Sequence, residues 1–151
     1  MIQNIFEASV VEQLKNRFNK LNNDSRPQWG KMDAAQMLAH CCVTYEMIYD
    51  NIHPVPPAFK RWILRLLIKP IVTGTKSYPQ SSRTAPEFII SGNKDFNKEK
   101  SRLFEYMQKT QELGASHFEG KSSHSFGKLT SSEWNNMMYK HLDHHLRQFG
   151  V

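Results

Sequence analysis

Residues 130–150, TSSEWNNMMYKHLDHHLRQFG, combine a strong helix start with a concentration of histidines near the end of the stretch. Thr130 is followed three residues later by Glu133, which is the capping-box pattern found at many helix N-termini. Apolar positions then recur at helical spacing, so we predict a helix from about Ser131 to about Phe149. This last helix carries three of the seven histidines of the chain, and the faces they occupy decide their chemistry.

The three histidines do not share one face of the predicted helix. With about 100° per residue and His141 at zero, Trp134 and Met138 lie at about 20° and 60° and define the inner face. His145 lies at about 40°, on that face, whereas His144 lies at about −60°, on the rim. His141 and His145, one turn apart, are therefore predicted to point inward. The opposite side carries the charged residues Lys140, Asp143 and Arg147.

Two inward imidazoles need partners, because an unsatisfied buried polar group costs about 1–3 kcal/mol. They can find hydrogen bonds, or they can share a metal ion, and a His-x-x-x-His spacing alone leaves both options open. A third imidazole is available at His40, in a second predicted helix from about Asp33 to about Ile52 whose start again has a capping-box pattern. His40 lies at the edge of the apolar face of that helix, so it either reaches a site between the helices or stays exposed at the rim.

Two more long helices complete the predicted fold. Apolar residues from Phe6 to Leu21 recur at helical spacing, and so do those from Phe96 to Thr110, where Gly114 is expected to end the helix. No strand-rich segment and no internal repeat accompany these four helices. We therefore expect an all-α protein, a four-helix bundle that forms a single domain over residues 1–151.

The connection between the second and third long helices is unusually long. Residues 56–70 predict a short amphipathic helix, interrupted at Pro70, and residues 72–93 predict an irregular stretch of the kind that often forms a lid. We favour a crossover segment that caps the open end of the bundle, the alternative being a basic helix, Lys60 to Lys69, that binds anionic lipid or nucleic acid. The apolar stripe of this helix consists of Phe59, Trp62, Ile63, Leu66 and Leu67.

Composition excludes several classes of protein. The longest apolar stretch, WILRLLIKPIV at residues 62–72, is too short and too charged to span a membrane, and the N-terminus has no secretory-signal pattern, so we expect a cytoplasmic protein. Adjacent Cys41 and Cys42 are poorly placed for a disulfide and are expected to be reduced thiols. The net charge is +6, but the basic residues are dispersed, so we expect no nucleic-acid partner.

Two motifs resemble a known family. In SRPQWGKMDAAQMLAHC, residues 25–41, a tryptophan shortly precedes a capped helix with a histidine in its second turn; HLDHHLRQFG, residues 141–150, follows an FGKLTSSEWN entry to the last helix. In these motifs, and in helix order over nearly the whole chain, the sequence resembles the DinB/YfiT-like superfamily of metalloenzymes, most closely an uncharacterised branch of it.

The resemblance implies a four-helix bundle with a three-histidine divalent-metal site, one ligand on the second helix and two on the last. Those roles fall here on His40, His141 and His145, with Zn, Ni, Mn or Fe as the ion. Some members of the superfamily are transferases or isomerases that use low-molecular-weight thiols such as bacillithiol, mycothiol or glutathione. The roles of the additional His144 and of the terminal carboxylate stay open.

Two functions of different classes follow. The first is a metal-dependent transferase or hydrolase that acts on a small molecule, and no catalytic residue is assigned to it. His124 is either a proton-transfer group or a solvated loop histidine, and we favour the solvated histidine. The second is a non-catalytic metal-binding or interaction protein with the same fold. A homodimer is compatible with both functions. A pocket beside the histidines, lined by groups such as Trp29, Tyr45 and Gln148, would favour the enzyme.

Overall fold

The computed structural model describes residues 1–82 and 84–151, most of which are helical. None of the helices described is both long and apolar enough to cross a membrane. The helices are α1 (Ala8–Phe18), α2 (Ala34–Tyr49), α3 (Ala58–Ile63), α4 (Lys69–Thr73), α5 (Phe96–Phe118) and α6 (Ser131–Gln148). A π-helical segment, Leu64–Ile68, joins α3 to α4, a short 3-10 helix spans Pro86–Phe88, and strands β1 (Ser122–Ser123) and β2 (Gly127–Lys128) form an antiparallel hairpin. The predicted helical class is confirmed.

Capping boxes begin both helices that carry the inward histidines. At α2, Asp33 Oδ1 accepts from the backbone N–H of Gln36, and Gln36 Oε1 accepts from the backbone N–H of Asp33. At α6, Thr130 and Glu133 make the same reciprocal pair of bonds. Two N–H groups that would otherwise lack partners are satisfied at each start, so the first turn of each helix has a defined register.

The hydrophobic core lies between the four long helices. α2 packs against α5 and α6, and α1 packs against the same two helices. The free cysteines Cys41 and Cys42 are both buried in this core. Since α2 and α6 are neighbours, inward side chains from the two helices can meet. The core side chains include Leu14, Phe18, Met37, Leu38, Leu103, Met107, Trp134, Leu142 and Leu146.

The main helical path of α5 ends at Gly114, as its glycine predicts. Gly114 has φ 70° and ψ 169°, so the helical path breaks there, but a further helical turn continues to Phe118. The Phe118 ring is fully buried and packs edge-to-face on Trp134, with ring centroids 5.7 Å apart. Burial of this aromatic pair holds the extra turn in place, and a local turn signal cannot reveal such a long-range contact.

The predicted interruption at Pro70 is found only in part: the helical path runs from Ala58 to Thr73, but a π-helical segment just before Pro70 separates α3 from α4. Pro70 lies in the first turn of α4, where a missing N–H costs little, and the preceding π-helical segment absorbs the change in hydrogen bonding. No residue of α3 or of the π-helical segment is buried, so this part of the predicted crossover does not insert into the end of the core. Within the predicted irregular stretch 72–93, residue 83 lies outside the described residues.

Removing one half of the α6 capping box should weaken the whole fold. We expect Thr130→Ala to lower the free energy of unfolding by about 1 kcal/mol, because the backbone N–H of Glu133 loses its acceptor. Urea unfolding followed by circular dichroism measures the change. Ser132→Ala, at an exposed position in the same turn, is the matched control and should have little effect. Equal losses in the two variants would contradict the assigned role of the cap.

Candidate metal centre

Three histidines from two helices meet between α2 and α6. One ring nitrogen from each of His40, His141 and His145 lies within 4.8 Å of the others. His40 Nε2 and His141 Nε2 are 3.0 Å apart, and the ring centroid of His145 lies 4.5 Å from that of His40 and 4.9 Å from that of His141. The structure therefore brings together all three residues that the sequence singles out. His40 and His145 are buried, and His141 is partly exposed.

Two of the three rings are held by their Nδ1 atoms. His40 Nδ1–H donates to the carbonyl oxygen of Phe88 at 2.9 Å, and His145 Nδ1–H donates to Gln148 Oε1 at 2.8 Å. A carbonyl oxygen can only accept, so the proton of each neutral ring is on Nδ1 and the lone pair is on Nε2. Both lone pairs belong to the atoms that face the cluster, which is the arrangement found in histidine metal ligands.

The Gln148 amide is itself held in place. Its Nε2 donates to the carbonyl oxygen of Trp29 at 2.7 Å, so its Oε1 must be the atom that accepts from His145. Gly30 has φ 85°, and a Cβ there would lie 2.5 Å from Gln148 Nε2, so a larger residue would be strained and would displace the amide. The loop that precedes α2 thus fixes an outer contact of a ring on α6.

His141 is the one ring with two tautomers open to it. Its Nδ1 lies 3.0 Å from Thr44 Oγ1, and either atom can donate. If Thr44 donates, His141 Nε2–H can donate to the lone pair of His40 Nε2. If His141 Nδ1–H donates instead, all three Nε2 lone pairs face the same space. The first arrangement suits a metal-free cluster and the second suits a bound cation.

Burial keeps these imidazoles uncharged at neutral pH. It lowers the pKa of His145 to about 3, an effect to which nearby His40 adds. Burial, followed by the neighbouring rings of His145 and His40, holds the pKa of His141 well below its usual value. Burial also lowers the pKa of His40, although the hydrogen bond to the Phe88 carbonyl raises it in part. The neutral form is the one that can coordinate a cation.

The donor set fits a divalent ion. Ligand nitrogens at about 2.0–2.1 Å from a tetrahedral zinc lie roughly 3.3 Å apart, and the 3.0 Å between His40 Nε2 and His141 Nε2 is close to that spacing. Among the hydrogen bonds of the described residues, the His145 ring takes part only through Nδ1, and the residue is 6% exposed. Its Nε2 lone pair is therefore available as a ligand. Imidazole nitrogens suit zinc, nickel, iron and copper, so the donor set by itself does not select the metal.

The other predicted histidines lie outside the cluster. His144 occupies the rim, as the helix wheel predicts, and its ring meets those of Trp29 and Tyr78 edge-to-face at 6.0 and 5.8 Å. His124 lies within 3.0 Å of Ser125 Oγ and 3.3 Å of the His53 carbonyl oxygen, away from the three rings. Thus His144 is beside the site and His124 belongs to the hairpin loop.

A narrow cleft of about 120 Å³ lies beside His144, whose ring centroid is 5.1 Å from that of His145, and none of the three clustered histidines lines it. Lys140 lies at this cleft and is buried, contrary to its predicted exposure, because its Nζ donates to the carbonyl oxygens of Ile71 and Gly74. Burial lowers the pKa of Lys140 to about 8. A larger depression of about 560 Å³ near Leu21 and Phe96 contains no histidine. The side chains that line the narrow cleft include Trp29, Ser77, Tyr78, Lys140, His144 and Arg147.

Sequence reasoning missed several contacts of the site and misplaced two residues. Phe88 supplies the carbonyl for His40, and its ring lies 5.8 Å from the His141 ring, but it is 48 residues from His40 in an irregular stretch. Thr44 could have been found, since it follows His40 by one helical turn. Trp29 lines the cleft as predicted, but Gln148 and Tyr45 do not. Gln148 contacts His145, and Tyr45 is buried and stacked on Tyr106, with centroids 5.5 Å apart.

Comparison with known proteins identifies a family. Residues 8–150 match DUF1569, whose description is a protein of unknown function. The match spans nearly the whole chain, from α1 to the end of α6, and includes all three clustered histidines. No curated protein and no solved structure matches the chain.

The depressed pKa values predict a stability that depends on pH. In the unfolded, metal-free chain, His145 takes up a proton as the pH falls through its ordinary pKa of 6.5. In the folded protein, His145 is protonated only near pH 3. The free energy of unfolding should therefore fall with pH in this window, with His145 contributing on the order of 1–2 kcal/mol between about pH 7 and about pH 5.

Urea unfolding in the presence of a chelator measures this dependence. His145→Gln should flatten the decline between the two pH values, whatever its effect on stability at pH 7. His117→Gln, at an exposed position on α5, is the control and should keep the wild-type slope. Identical slopes for wild type and His145→Gln would show that His145 is protonated as readily in the folded state as in the unfolded state.

Proposed function

We propose that this chain, which belongs to the DUF1569 family, binds one divalent metal ion through His40, His141 and His145 and uses it in transferase or hydrolase chemistry. One observation carries the proposal. His40 and His145 are each held at Nδ1 by an oxygen acceptor, so that their Nε2 lone pairs face a space that they share with His141. Neutral, pre-oriented imidazoles are expected of a ligand set, whereas rings that serve only packing do not need a common focus.

We further propose that the fold is the four-helix bundle of the DinB/YfiT-like superfamily. Three features support this kinship. The four long helices occur in the expected order, the longest connection joins α2 to α5, and the histidines come from α2 and from an i, i+4 pair on the last helix. The proposal concerns ancestry and architecture, and it gives no reaction by itself.

The ligand count favours an enzyme over a closed structural site. Three protein ligands leave a coordination position for an exchangeable group, and a bound ion there would supply Lewis-acid activation of a water or thiol. The protein supplies orientation and shelter. Gln148 and the Phe88 carbonyl hold two rings, and the Phe88 side chain packs on His40 and His141, with centroids at 5.3 and 5.8 Å, which limits access of bulk water.

The cleft beside the cluster is the proposed approach for a small-molecule substrate. Its lining includes two cations, Lys140 and Arg147, and one carboxylate, Asp143, so a net positive charge favours a substrate with a negative group. Lys140 already donates to the Ile71 and Gly74 carbonyls, and Arg147 is paired with Asp143 at 2.9 Å. His144 is half-buried at the same cleft, and burial lowers its pKa. At neutral pH this ring is therefore uncharged and has a lone pair that can accept a proton at the cleft. A low-molecular-weight thiol with a carboxylate matches these features.

A non-catalytic metal-binding role is the second candidate, and one observation favours it. The Phe88 ring lies against two of the three histidines, and none of the three lines the cleft. A site covered in this way can hold an ion without admitting a substrate. The two candidates differ in whether an added small molecule reaches the ion, which the addition of thiols to the Co²⁺-substituted protein tests.

Metal content tests the ligand assignment. Protein purified without a histidine tag or chelators should carry about one divalent transition-metal ion per chain, measured by elemental analysis. His145→Ala should lose the ion, whereas His144→Ala, one residue away on the rim, should retain most of it. Equal losses would mean that the inward pair has been wrongly chosen.

A variant of an outer contact refines the same test. Gln148→Ala keeps the three imidazoles but removes the acceptor at His145 Nδ1, so metal affinity should fall by roughly 10- to 100-fold. Competition with a metal-binding dye measures the affinity. An unchanged affinity would show that the Gln148 contact does not orient the ligand.

Thiol access distinguishes the enzyme from the metal-binding protein. The Co²⁺-substituted protein should develop a charge-transfer absorption band when small cellular thiols are added, because a thiolate is a favoured ligand of such an ion. His40→Ala should abolish the band. If Co²⁺ is bound and the spectrum stays unchanged across a panel of thiols, the thiol-transferase proposal should be abandoned, leaving the hydrolase and the non-catalytic role.

A further inference from the structure

The exposed large apolar side chains of this protein are concentrated in one part of the chain. Apart from Met1, those found among the described residues all lie between Ile52 and Ile89. Six of them belong to the helical segment 58–73, where they are between 38% and 73% exposed. Single exposed apolar residues are ordinary, but a concentration of six marks an interaction surface. We name these six the outer face: Phe59, Trp62, Leu66, Leu67, Ile68 and Ile71.

The basic residues of the same segment turn the other way. Lys69 Nζ lies 2.9 Å from Glu133 at the start of α6, and Lys60 Nζ lies 3.8 Å from Glu87 near the 3-10 helix. The Arg65 guanidinium lies over Gly127 of the hairpin, close enough that a Cβ there would meet its Nη2 at 2.8 Å. The basic side chains thus reach toward the body of the protein, although Lys60 and Arg65 remain exposed, and the large apolar side chains face outward.

This orientation is held by hydrogen bonds at the end of the segment. Lys140 Nζ donates to the carbonyl oxygens of Ile71 and Gly74 at 2.8 and 2.6 Å. Asn136 Nδ2 donates to the carbonyl oxygen of Thr73 at 2.9 Å. These bonds and the two ion pairs tie the segment to α6, so rolling it inward to bury the outer face would break all of them.

We propose that a second copy of this chain covers the outer face. Two of the four cations of the segment, Lys60 and Lys69, lie beside Glu87 and Glu133 of their own chain, which reduces their repulsion of an identical partner. The six side chains expose roughly 600 Å² per copy, so pairing two copies removes about 1,200 Å² from water, the lower end of the range for specific interfaces. A helical apolar ridge can pair with itself about a two-fold axis, which is the commonest symmetry of soluble oligomers.

Charge also argues for a second copy over a lipid surface. A helix that lies on an anionic membrane uses free lysines and arginines to attract headgroups. Here Lys69 is paired with Glu133, Lys60 is half exposed beside Glu87, and the exposed Arg65 lies over the hairpin, so only part of the positive charge is free for headgroups. What the segment offers to a partner is mainly apolar area, with Phe59 and Trp62 stacked at a centroid distance of 6.3 Å. The proposal does not depend on the metal centre.

The mass of the full, untagged chain in solution tests the proposal. Sedimentation velocity over a hundredfold range of micromolar concentrations should give twice the 17.6 kDa mass of one chain. Trp62→Glu with Leu66→Glu should raise the dimer dissociation constant by at least about 100-fold, because both central apolar anchors are replaced by like charges. Asn97→Glu with Ser101→Glu, which adds the same two charges to exposed positions of α5, should remain dimeric.

Three results would overturn the proposal. They are a monomeric wild type at every concentration, a Trp62/Leu66 variant that dimerises as well as wild type, and a monomeric wild type that sediments with anionic phospholipid vesicles. The last would assign the outer face to lipid. Circular dichroism checks that the variants fold, and Leu67→Gln with Ile71→Gln serves as a milder second variant that should also weaken the dimer.

Discussion

The hydrogen bonds at the Nδ1 atoms of the clustered histidines are the constraint on which the site depends. A buried imidazole cannot leave both nitrogens unsatisfied, and its low pKa removes protonation as an alternative. Once Phe88 and Gln148 accept from Nδ1 of His40 and His145, the lone pairs of these rings are committed to the space between α2 and α6. Burial, the choice of tautomer and the orientation of the rings therefore act together to direct the Nε2 lone pairs into this shared space.

The two groups that accept hydrogen bonds from the histidine Nδ1 atoms are themselves held by other parts of the fold. Gln148 is oriented by the Trp29 carbonyl, next to a glycine that no larger residue could replace without displacing the amide. Phe88 comes from the long connection between α2 and α5, whose 3-10 helix is tied to the outward-facing segment by the pair of Lys60 and Glu87. The outer contacts of the cluster thus come from loops, while the histidines themselves come from helices with well-defined starts.

In the segment 58–73, polar groups contact the body of the protein and apolar side chains are exposed to solvent. Its apolar side chains would be expected to drive it against the core, yet its carbonyl groups and cations are the atoms that contact the body of the protein. A buried lysine on α6 that donates to two carbonyl oxygens binds the segment through its polar side. Such an arrangement leaves apolar area in water, which is unfavourable for an isolated chain and is relieved when another apolar surface covers it.

Local signals in the sequence account for the helices and for the identity of the clustered residues. Capping boxes at Asp33 and Thr130, together with helical spacing, predict where α2 and α6 begin and that His141 and His145 point inward while His144 does not. These features depend on residues within a turn or two of each other, so the sequence alone determines them. That His40 meets the pair depends on which helices are neighbours.

Tertiary structure decided that neighbourhood, the outer contacts of Phe88 and Gln148, the burial of Lys140 and the outward orientation of the apolar segment. Most of these contacts join positions that are tens of residues apart in the sequence. Each depends on the balance between the burial of apolar area and the hydrogen bonding of polar groups. Only the assembled chain resolves that competition, because periodicity records which residues share a face and not what that face meets.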